Sequence, residues 1–405
     1  MRGHAPGARP TPVRRNAGSP LPSDLSPMPP KLAESDVSVV IPVYNRAAWL
    51  ERAVASILCQ TLPPLEVIVV DDGSTDGTGE VCRRLEARGI RVLLQSNQGV
   101  SAARNAGARA AEGAFIAFLD SDDLAHPSRL ELQRAVHDRF PGMGWSFGNF
   151  TGIEEDDTPS PGHDGFPSGF PVFRNVGQTP EAFFASFPSL RREELRVGET
   201  LHHLFVGDFF PPLFRGNFVS SSGTMVRTSV FRESGGFDEG WRVSEDTEFF
   251  HRLAASHPAV AIMTPLFAWR AHGKERLTTR ANIPALVETG IRSLDRALEL
   301  RNPAPEAILR MHREAVLRCH LTLAYTHISE LEGPRARDAI RAAWRRFPET
   351  RRSPRFLALH LLSLVPDPVL RLGARVKPLL RRDPAGGGQP IPGSDSVSSR
   401  LIHDD

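Results

Sequence analysis

The first 150 residues alternate between short apolar runs and segments with helical spacing. The run at 37–43 (VSVVIPV) is uninterrupted and β-branched, and apolar residues in 47–60 recur every three or four positions. The same alternation predicts strands at 65–70, 90–94, 114–119 and 145–150, and helices at 76–88, at 101–111 with Ser101 as cap, and after Pro127. Strands that are apolar throughout and alternate with helices indicate a mostly parallel sheet with helices on both faces. The predicted class is α/β.

The pattern changes after residue 150. From 151 to about 215 the periodicity fails among many Pro, Gly and Phe residues, which predicts a loop-rich insertion with one short helix near 181–196. Regular patterns return with a strand pair in 217–227, a turn at 235–238 and a helix from Glu245 to Ser256. Beyond Ile283 the apolar spacing predicts a helical C-terminal region.

These changes divide the chain into five parts. We expect a tail at 1–35, the first half of an α/β domain at 36–150, its second half with the insertion at 151–280, a helical region at 281–382, and a second tail at 383–405. Both tails are dense in Pro, Gly and Ser and have no apolar segment, which predicts disorder.

Composition excludes several classes of protein. The net charge of +2 over 405 residues does not favour nucleic acid as a partner, and the three cysteines have no C-x-x-C spacing. The N-terminal residues lack the apolar segment of a secretory signal, and no stretch has the about 18 to 20 consecutive apolar residues of a membrane span. A cytoplasmic location is expected.

Polar residues follow three predicted strands. Tyr44 and Asn45 end the first, Asp71 and Asp72 the second, and the sequence FLDSDD at 118–123 ends a third. Open α/β sheets bind ligands at the carboxyl ends of their strands. Aspartates there either cap turns or hold a hard cation such as Mg²⁺ or Mn²⁺, which takes one or two protein carboxylates and completes its shell with substrate phosphates. The signatures G-x-G-x-x-G, G-x-x-x-x-G-K and G-x-S-x-G are missing from the corresponding positions.

The motifs, taken in order, resemble those of family 2 glycosyltransferases with the GT-A fold. They are PVYN at 42–45, VDDGS at 70–74, Asn97-x-Gly99, ARNxG at 103–107, FLDSDD at 118–123, and GGFD at 235–238 followed by Glu245-Asp246. The resemblance covers about residues 36 to 275 and implies an inverting transfer of a sugar, expected from a UDP-sugar, to an acceptor hydroxyl. It implies that 36–150 is the half that binds the nucleotide sugar and that 151–280 is the half that binds the acceptor. The acceptor would be a glycan or a lipid-linked molecule in the synthesis of polysaccharide, glycolipid or cell-envelope glycan.

The resemblance also assigns site residues. The donor would contact Pro42, Tyr44, Asn45, Asp72, Asn97, Arg104, Asp120 and Ser121, and the metal ion, Mn²⁺ or Mg²⁺, would be held by Asp122, Asp120 and His272. The acceptor hydroxyl needs a base some way from the cation. Asp246 is the expected base and Glu245 the second candidate, although acids at a helix N-terminus also serve as partners of the helix dipole.

Three other functions remain open from the residues alone. Two carboxylates across a sugar also describe a glycosidase, although that enzyme needs no nucleotide. The chain could hydrolyse nucleotide sugars, or it could be a non-catalytic glycan-binding or scaffold member of the same fold.

The segment 335–382 is rich in arginine around an apolar stretch. The apolar residues are Phe356, Leu357, Leu359, Leu361, Leu362, Leu364 and Val365. This composition is typical either of a helical subdomain that packs on the transferase or of a segment that lies in a membrane interface. The second interpretation would place the protein at the inner face of the cell membrane.

Overall fold

The structure is a computed structural model that describes residues 35–170, 172–173, 177–271 and 282–365. His272, the segment 366–382 and both predicted tails, apart from Ser35, lie outside the described residues.

Ten strands form one sheet within the described part of the chain. They are β1 (Val37–Val43), β2 (Glu66–Asp71), β3 (Arg91–Leu94), β4 (Phe115–Phe118), β5 (Leu124–Ala125), β6 (Trp145–Ile153), β7 (Leu190–Val197), β8 (Thr200–Gly207), β9 (Met225–Arg227) and β10 (Ala259–Arg270). The α-helices are α1 (Ala47–Leu58), α2 (Thr78–Glu86), α3 (Val100–Ala110), α4 (Arg129–Arg139), α5 (Gly165–Gly169), α6 (Pro180–Ala185), α7 (Phe210–Leu213), α8 (Thr228–Glu233), α9 (Glu245–Ser256), α10 (Ile283–Leu300), α11 (Glu306–Ser329), α12 (Gly333–Arg346) and α13 (Pro354–Leu362).

The strand order is β3-β2-β1-β4-β9-β6-β10-β8-β7, and β5 pairs with β10. Strands β1 to β4 pair in parallel with one another, as β6 does with β10, whereas β9 is antiparallel to both β4 and β6. The predicted α/β class with a C-terminal helical region is confirmed. The sheet is mixed, and its parallel N-terminal half brings the ends of β1, β2 and β4 to one edge.

The uninterrupted apolar strands supply two cores. Successive residues of a strand point to opposite faces, so in β1 Val40 joins one hydrophobic cluster while Val39 and Ile41 join another. Helix α3 approaches the sheet closely at Gly107, where a Cβ atom would lie 2.4 Å from Cγ1 of Val40. This contact fixes α3 against the strand whose end carries the PVYN motif.

The helix predicted near 181–196 is wrong beyond Ala185. Helix α6 ends there, and Leu190–Val197 forms β7, which pairs antiparallel with β8 from Leu190 opposite Gly207 to Val197 opposite Thr200. The connecting turn contains Gly198 with φ 57°. Pairing with β8 outweighs the helix-forming residues RREELR, because strand preference depends on the neighbouring strand.

Two further predictions differ from the structure, and one strand was missed. The strand pair in 217–227 is one short strand, β9, preceded by the 3₁₀ turn Ser221–Gly223. Ser101 lies inside α3, whose N-cap is Gly99 with φ 94°, so a glycine rather than a hydroxyl begins that helix. Strand β10 was not predicted, although it lies between β6 and β8.

The predicted helical region begins at α10. Leu294 in α10 and Val316 in α11 join the main core of the α/β domain, while Ile340 in α12 and Phe356 in α13 belong to a separate cluster. Among the described residues, no helix combines the length and apolar character that crossing a membrane requires.

Candidate active site

The DDGS turn after β2 is fixed by its own aspartates. Asp71 Oδ1 accepts a hydrogen bond from the Ser74 N–H at 2.9 Å and so caps the turn. The buried carboxylate of Asp72 accepts bonds from Gln95 Nε2 at 2.7 Å and from the N–H groups of Gln98 and Gly99 at 2.9 and 2.8 Å. Asp72 therefore holds the loop between β3 and α3.

The end of β1 is tied to this turn. Asn45 has φ 51°, its N–H donates to Ser74 Oγ at 3.0 Å, and its Oδ1 accepts from the Thr75 N–H at 2.8 Å. Tyr44 is 44% exposed beside the turn, whereas Pro42 is buried within β1. Tyr44 can therefore offer its ring to a ligand, while the burial of Pro42 leaves it a role in shaping the strand end.

One of the acids after β4 is structural. Asp123 is buried, its Oδ2 accepts the Ser222 hydroxyl at 2.6 Å, and its Oδ1 accepts the Arg270 N–H at 3.0 Å. Burial, together with the charges of Asp122 and Asp120, raises the pKa of Asp123 well above its usual value. Asp123 therefore joins the acidic segment to β10 and to the turn before β9.

The other two acids remain partly exposed. The side chains of Asp120 and Asp122 are 33% and 21% exposed, while Ser121 between them is buried. Asp122 Oδ2 lies 3.4 Å from Arg46 Nε. The alternating spacing of the D-x-D thus directs two carboxylates away from the core.

Arg104 on α3 joins two acidic groups. Its guanidinium donates to Asp120 Oδ1 at 2.8 Å and to Glu245 Oε1 at 3.0 Å, and it lies 5.1 Å from the centre of the Phe237 ring. Burial opposes the charge of Arg104, but the carboxylates of Asp120 and Glu245 raise its pKa above the ordinary value. Arg104 is therefore a permanent buried cation between the end of β4 and the start of α9.

The two acids that begin α9 have different surroundings. Glu245 is bonded to Arg104, whereas Asp246 Oδ1 accepts only from the N–H and hydroxyl of Thr247, at 2.6 and 3.2 Å, among the bonds of the described residues. Asp246 is partly buried. This burial and the charge of Glu245 raise its pKa to about 7, although Arg104 acts to lower it. Asp246 thus has the properties of a group that exchanges a proton near neutral pH.

The turn at 235–238 is hydrogen-bonded to Asn105, the residue after Arg104 on α3. Asn105 donates from Nδ2 to the Phe237 carbonyl at 2.8 Å and accepts the Phe237 N–H at its Oδ1 at 2.9 Å. Gly236 has φ 71°, and a Cβ atom there would lie 2.5 Å from Asn105 Oδ1. Arg104 and Asn105 therefore hold the start of α9 and the turn before it against α3.

The family model described as Glycosyl transferase family 2 matches residues 38–195. The chain contains a family 2 glycosyltransferase domain. The predicted family is thus confirmed, and the matched segment includes every strand end described above, while Glu245 and Asp246 lie beyond it.

Relatives match this family 2 domain over different lengths. The validoxylamine A glucosyltransferase of Streptomyces hygroscopicus subsp. limoneus is 31% identical over 295 residues, which are 69% of this chain and 62% of that protein. An uncharacterized glycosyltransferase of Rickettsia felis is 45% identical over 105 residues, which are 25% of this chain and 17% of the relative. The chain therefore spans less than two thirds of either relative.

Solved structures confirm the GT-A fold. S. aureus TarS 1–349 in complex with UDP-GlcNAc superimposes with a TM-score of 0.52 at 17% identity, covering 81% of this chain and 90% of the TarS 1–349 chain. At this identity the likeness shows the fold alone.

The carboxylates of the family 2 domain fit a divalent cation. Asp120 and Asp122 offer hard oxygen ligands at an exposed strand end, and Mg²⁺ or Mn²⁺ commonly needs only one or two such groups. Within the described residues, three His or acidic side chains whose ligand atoms lie within 4.8 Å of one another occur at His327, Glu330 and Glu332, at the end of α11. The Asp120–Asp122 pair would therefore depend on ligands from elsewhere, such as substrate phosphates.

Two side chains of the site carried no functional prediction. Ser222 accepts the Asp120 N–H at 3.1 Å while donating to Asp123, and Arg270 Nε donates to the Asp122 carbonyl at 2.7 Å. The only indication in the sequence was that Arg270 lies in the segment WRAH at 269–272, two residues before the predicted metal ligand His272. His272, the predicted metal ligand two residues later, lies outside the described residues.

Proposed function

We propose that this chain transfers a sugar from a nucleoside diphosphate sugar, with a UDP-sugar as the expected donor, to an acceptor hydroxyl with inversion at the anomeric carbon. The observation that carries the proposal is that the site contains carboxylates in two different environments. Asp120 and Asp122 are partly exposed acids after β4, and Asp246 is an acid with a pKa of about 7 on a different element. Metal-assisted inverting transfer uses both kinds of group, one to hold the cation and one to accept the proton of the acceptor.

On the donor side, Asp120 and Asp122 would hold Mn²⁺ or Mg²⁺ against the diphosphate. When bound, the cation supplies Lewis-acid stabilisation of the negative charge that the diphosphate gains on leaving. The loop held by Asp72 contains the exposed residue Asn97, and with the exposed Tyr44 it would border the nucleoside. In this arrangement Asp72 acts mainly through the loop that it holds.

On the acceptor side, Asp246 would accept the proton of the attacking hydroxyl. The hydroxyl oxygen forms a bond to the anomeric carbon while the bond from that carbon to the diphosphate oxygen breaks, and the bonding electrons leave with the diphosphate. A base with a pKa near the working pH is favourable for this step. Asp246 is preferred to Glu245 because Arg104 holds Glu245 in an ion pair.

A panel of nucleotide sugars tests the proposal by release of free nucleotide in the presence of Mn²⁺, with and without simple glycoside acceptors. Glucose donors come first, because a relative that is 31% identical is named a glucosyltransferase. We expect acceptor-dependent release, a loss of about 100-fold or more in Asp246→Asn, and a smaller loss in the neighbouring control Glu245→Gln.

Other outcomes of this panel would overturn the proposal. Release at the same rate without acceptor would indicate a nucleotide-sugar hydrolase. Failure to bind any nucleotide sugar, measured by calorimetry, together with glycan binding would indicate a non-catalytic member of the family. Glycoside cleavage without nucleotide would indicate a glycosidase.

A further inference from the structure

Helix α13 has two different apolar faces. Phe356 and Leu359 are buried and pack with Ile340 of α12 in the C-terminal hydrophobic cluster. Leu357 and Leu361 in α13 are 42% and 65% exposed, and Leu364 in the turn directly after the helix is 56% exposed. We name these three residues the leucine ridge. The apolar stretch of the sequence thus divides into a core face, as expected of a packed subdomain, and an exposed ridge with no core of its own.

The surroundings of the leucine ridge are strongly basic. The segment 333–365 contains eight arginines and two acidic residues, an excess of six positive charges. Asp338 pairs with Arg341 and Glu349 with Arg313, while Arg335 and Arg346 pair with acids outside the segment, Glu332 and Asp295. Exposed arginines directly precede or begin α13, namely Arg351, Arg352 and Arg355. In sequence, the segment 366–382 adds five basic residues and one acid.

We propose that the leucine ridge and its arginines dock this chain on an anionic phospholipid surface. Leucine side chains enter the boundary between headgroups and acyl chains, while arginines meet the negative charge of the leaflet. Nucleic acid would pair with the arginines but would leave three leucines in water. Docking goes beyond the proposed glycosyl transfer, and it would bring the site to acceptors anchored at the inner face of the membrane.

Flotation of the full chain with vesicles tests this proposal. We expect the chain to float with vesicles that contain phosphatidylglycerol, to stay in solution with pure phosphatidylcholine, and to dissociate as salt is raised. Replacing the ridge by Leu357→Ser, Leu361→Ser and Leu364→Ser should lower the partition coefficient at least tenfold. The matched control Leu94→Ser, Leu201→Ser and Leu300→Ser removes three exposed leucines elsewhere and should bind as the unaltered chain does.

Four results would overturn docking. The first is that the chain does not float with anionic vesicles, and the second is that the ridge variant floats as well as the unaltered chain. The third is that the melting temperature of the ridge variant falls by several degrees. The fourth is that the unaltered chain is a dimer in solution while the ridge variant is a monomer. The third result would show that the chain's own residues cover the ridge, and the fourth that a second copy does. Nucleotide release with a soluble acceptor is measured in parallel, so that a failure of docking is distinguishable from a failure of transfer.

Discussion

Arg104 and Glu245 form a hydrogen-bonded ion pair of 3.0 Å, although 141 positions separate them in the sequence. The same guanidinium bonds Asp120 at 2.8 Å, so one buried cation neutralises an acid of the D-x-D and an acid beside the proposed base. This pairing joins the two halves of the domain at the point where donor and acceptor would meet.

Loss of this cation should lower stability and activity together. In Arg104→Ala, Glu245 becomes a nearly buried acid without its partner, and we expect the free energy of unfolding to fall by about 3 kcal/mol, the lower end for a broken buried pair because Asp120 keeps contact with water. The control Arg109→Ala lies on the same helix, is 68% exposed and should change stability by less than about 0.5 kcal/mol. Urea unfolding measures both. Equal effects of the two variants would contradict the role of Arg104.

The two neighbouring aspartates should respond differently to metal. Asp122→Asn replaces a partly exposed carboxylate that we propose as a metal ligand, so the stimulation of nucleotide release by Mn²⁺ should fall about 100-fold, the size of loss seen when one group that stabilises transition-state charge is removed. Asp123→Asn alters a buried carboxyl bonded to Ser222 and Arg270, so it should reduce the melting temperature while the Mn²⁺ concentration at half-maximal rate stays the same. A normal metal response in Asp122→Asn would refute the assignment of Asp122.

The proposed base predicts an acid limb in the pH profile. Asp246 accepts a proton only when ionised, and burial beside Glu245 raises its pKa to about 7, so kcat/KM should fall tenfold per pH unit below about pH 7. Arg104 lowers this pKa, so the limb should move to higher pH in Arg104→Ala. Glu245→Gln removes the charge that raises the pKa and should move the limb to lower pH. A limb that stays in place in both variants would point to another base.

Two glycines should respond to alanine with opposite sign. At Gly107 the new methyl group would lie 2.4 Å from Val40 Cγ1, which forces α3 away from the sheet and should cost about 1–3 kcal/mol of stability. At Gly290 in α10, no atom of the described residues outside the helix's own nearby backbone lies within 4 Å of the position that the new methyl group would take, so alanine should stabilise the helix by about 0.5–1 kcal/mol. Thermal unfolding of both variants compares them directly. Destabilisation of similar size at the two sites would contradict the packing argument.

The parts that sequence predicted well are those in which local pattern and tertiary environment agree. Strand β1 and helix α9 have the predicted bounds, because an apolar run buried on both faces and a run of acids before apolar helical spacing each have one stable solution. The motifs at the strand ends also followed, since a parallel sheet must bring those ends to one edge.

What depended on distant partners could not be predicted. The charged segment 190–197 favours helix by itself, and only its pairing with β8 makes it a strand. The sequence indicated Asp72 as a ligand contact and Asp123 as part of an acidic cluster. In the structure Asp72 bonds the loop at 95–99 and Asp123 bonds Ser222, and neither partner is close in sequence. Arg104 lies in the ARNxG motif, yet nothing in the surrounding sequence indicates that its partner lies in α9.

The bonds from Asn105 to Phe237 have a practical consequence for protein engineering. They connect the ARNxG motif at 103–107 directly to the GGFD motif at 235–238, whereas the hairpin of β7 and β8 occupies the far border of the sheet. Exchanging that hairpin for one from another member would leave those bonds in place. Chimeras cut at the borders of 190–207 would therefore test whether this hairpin contributes to acceptor preference.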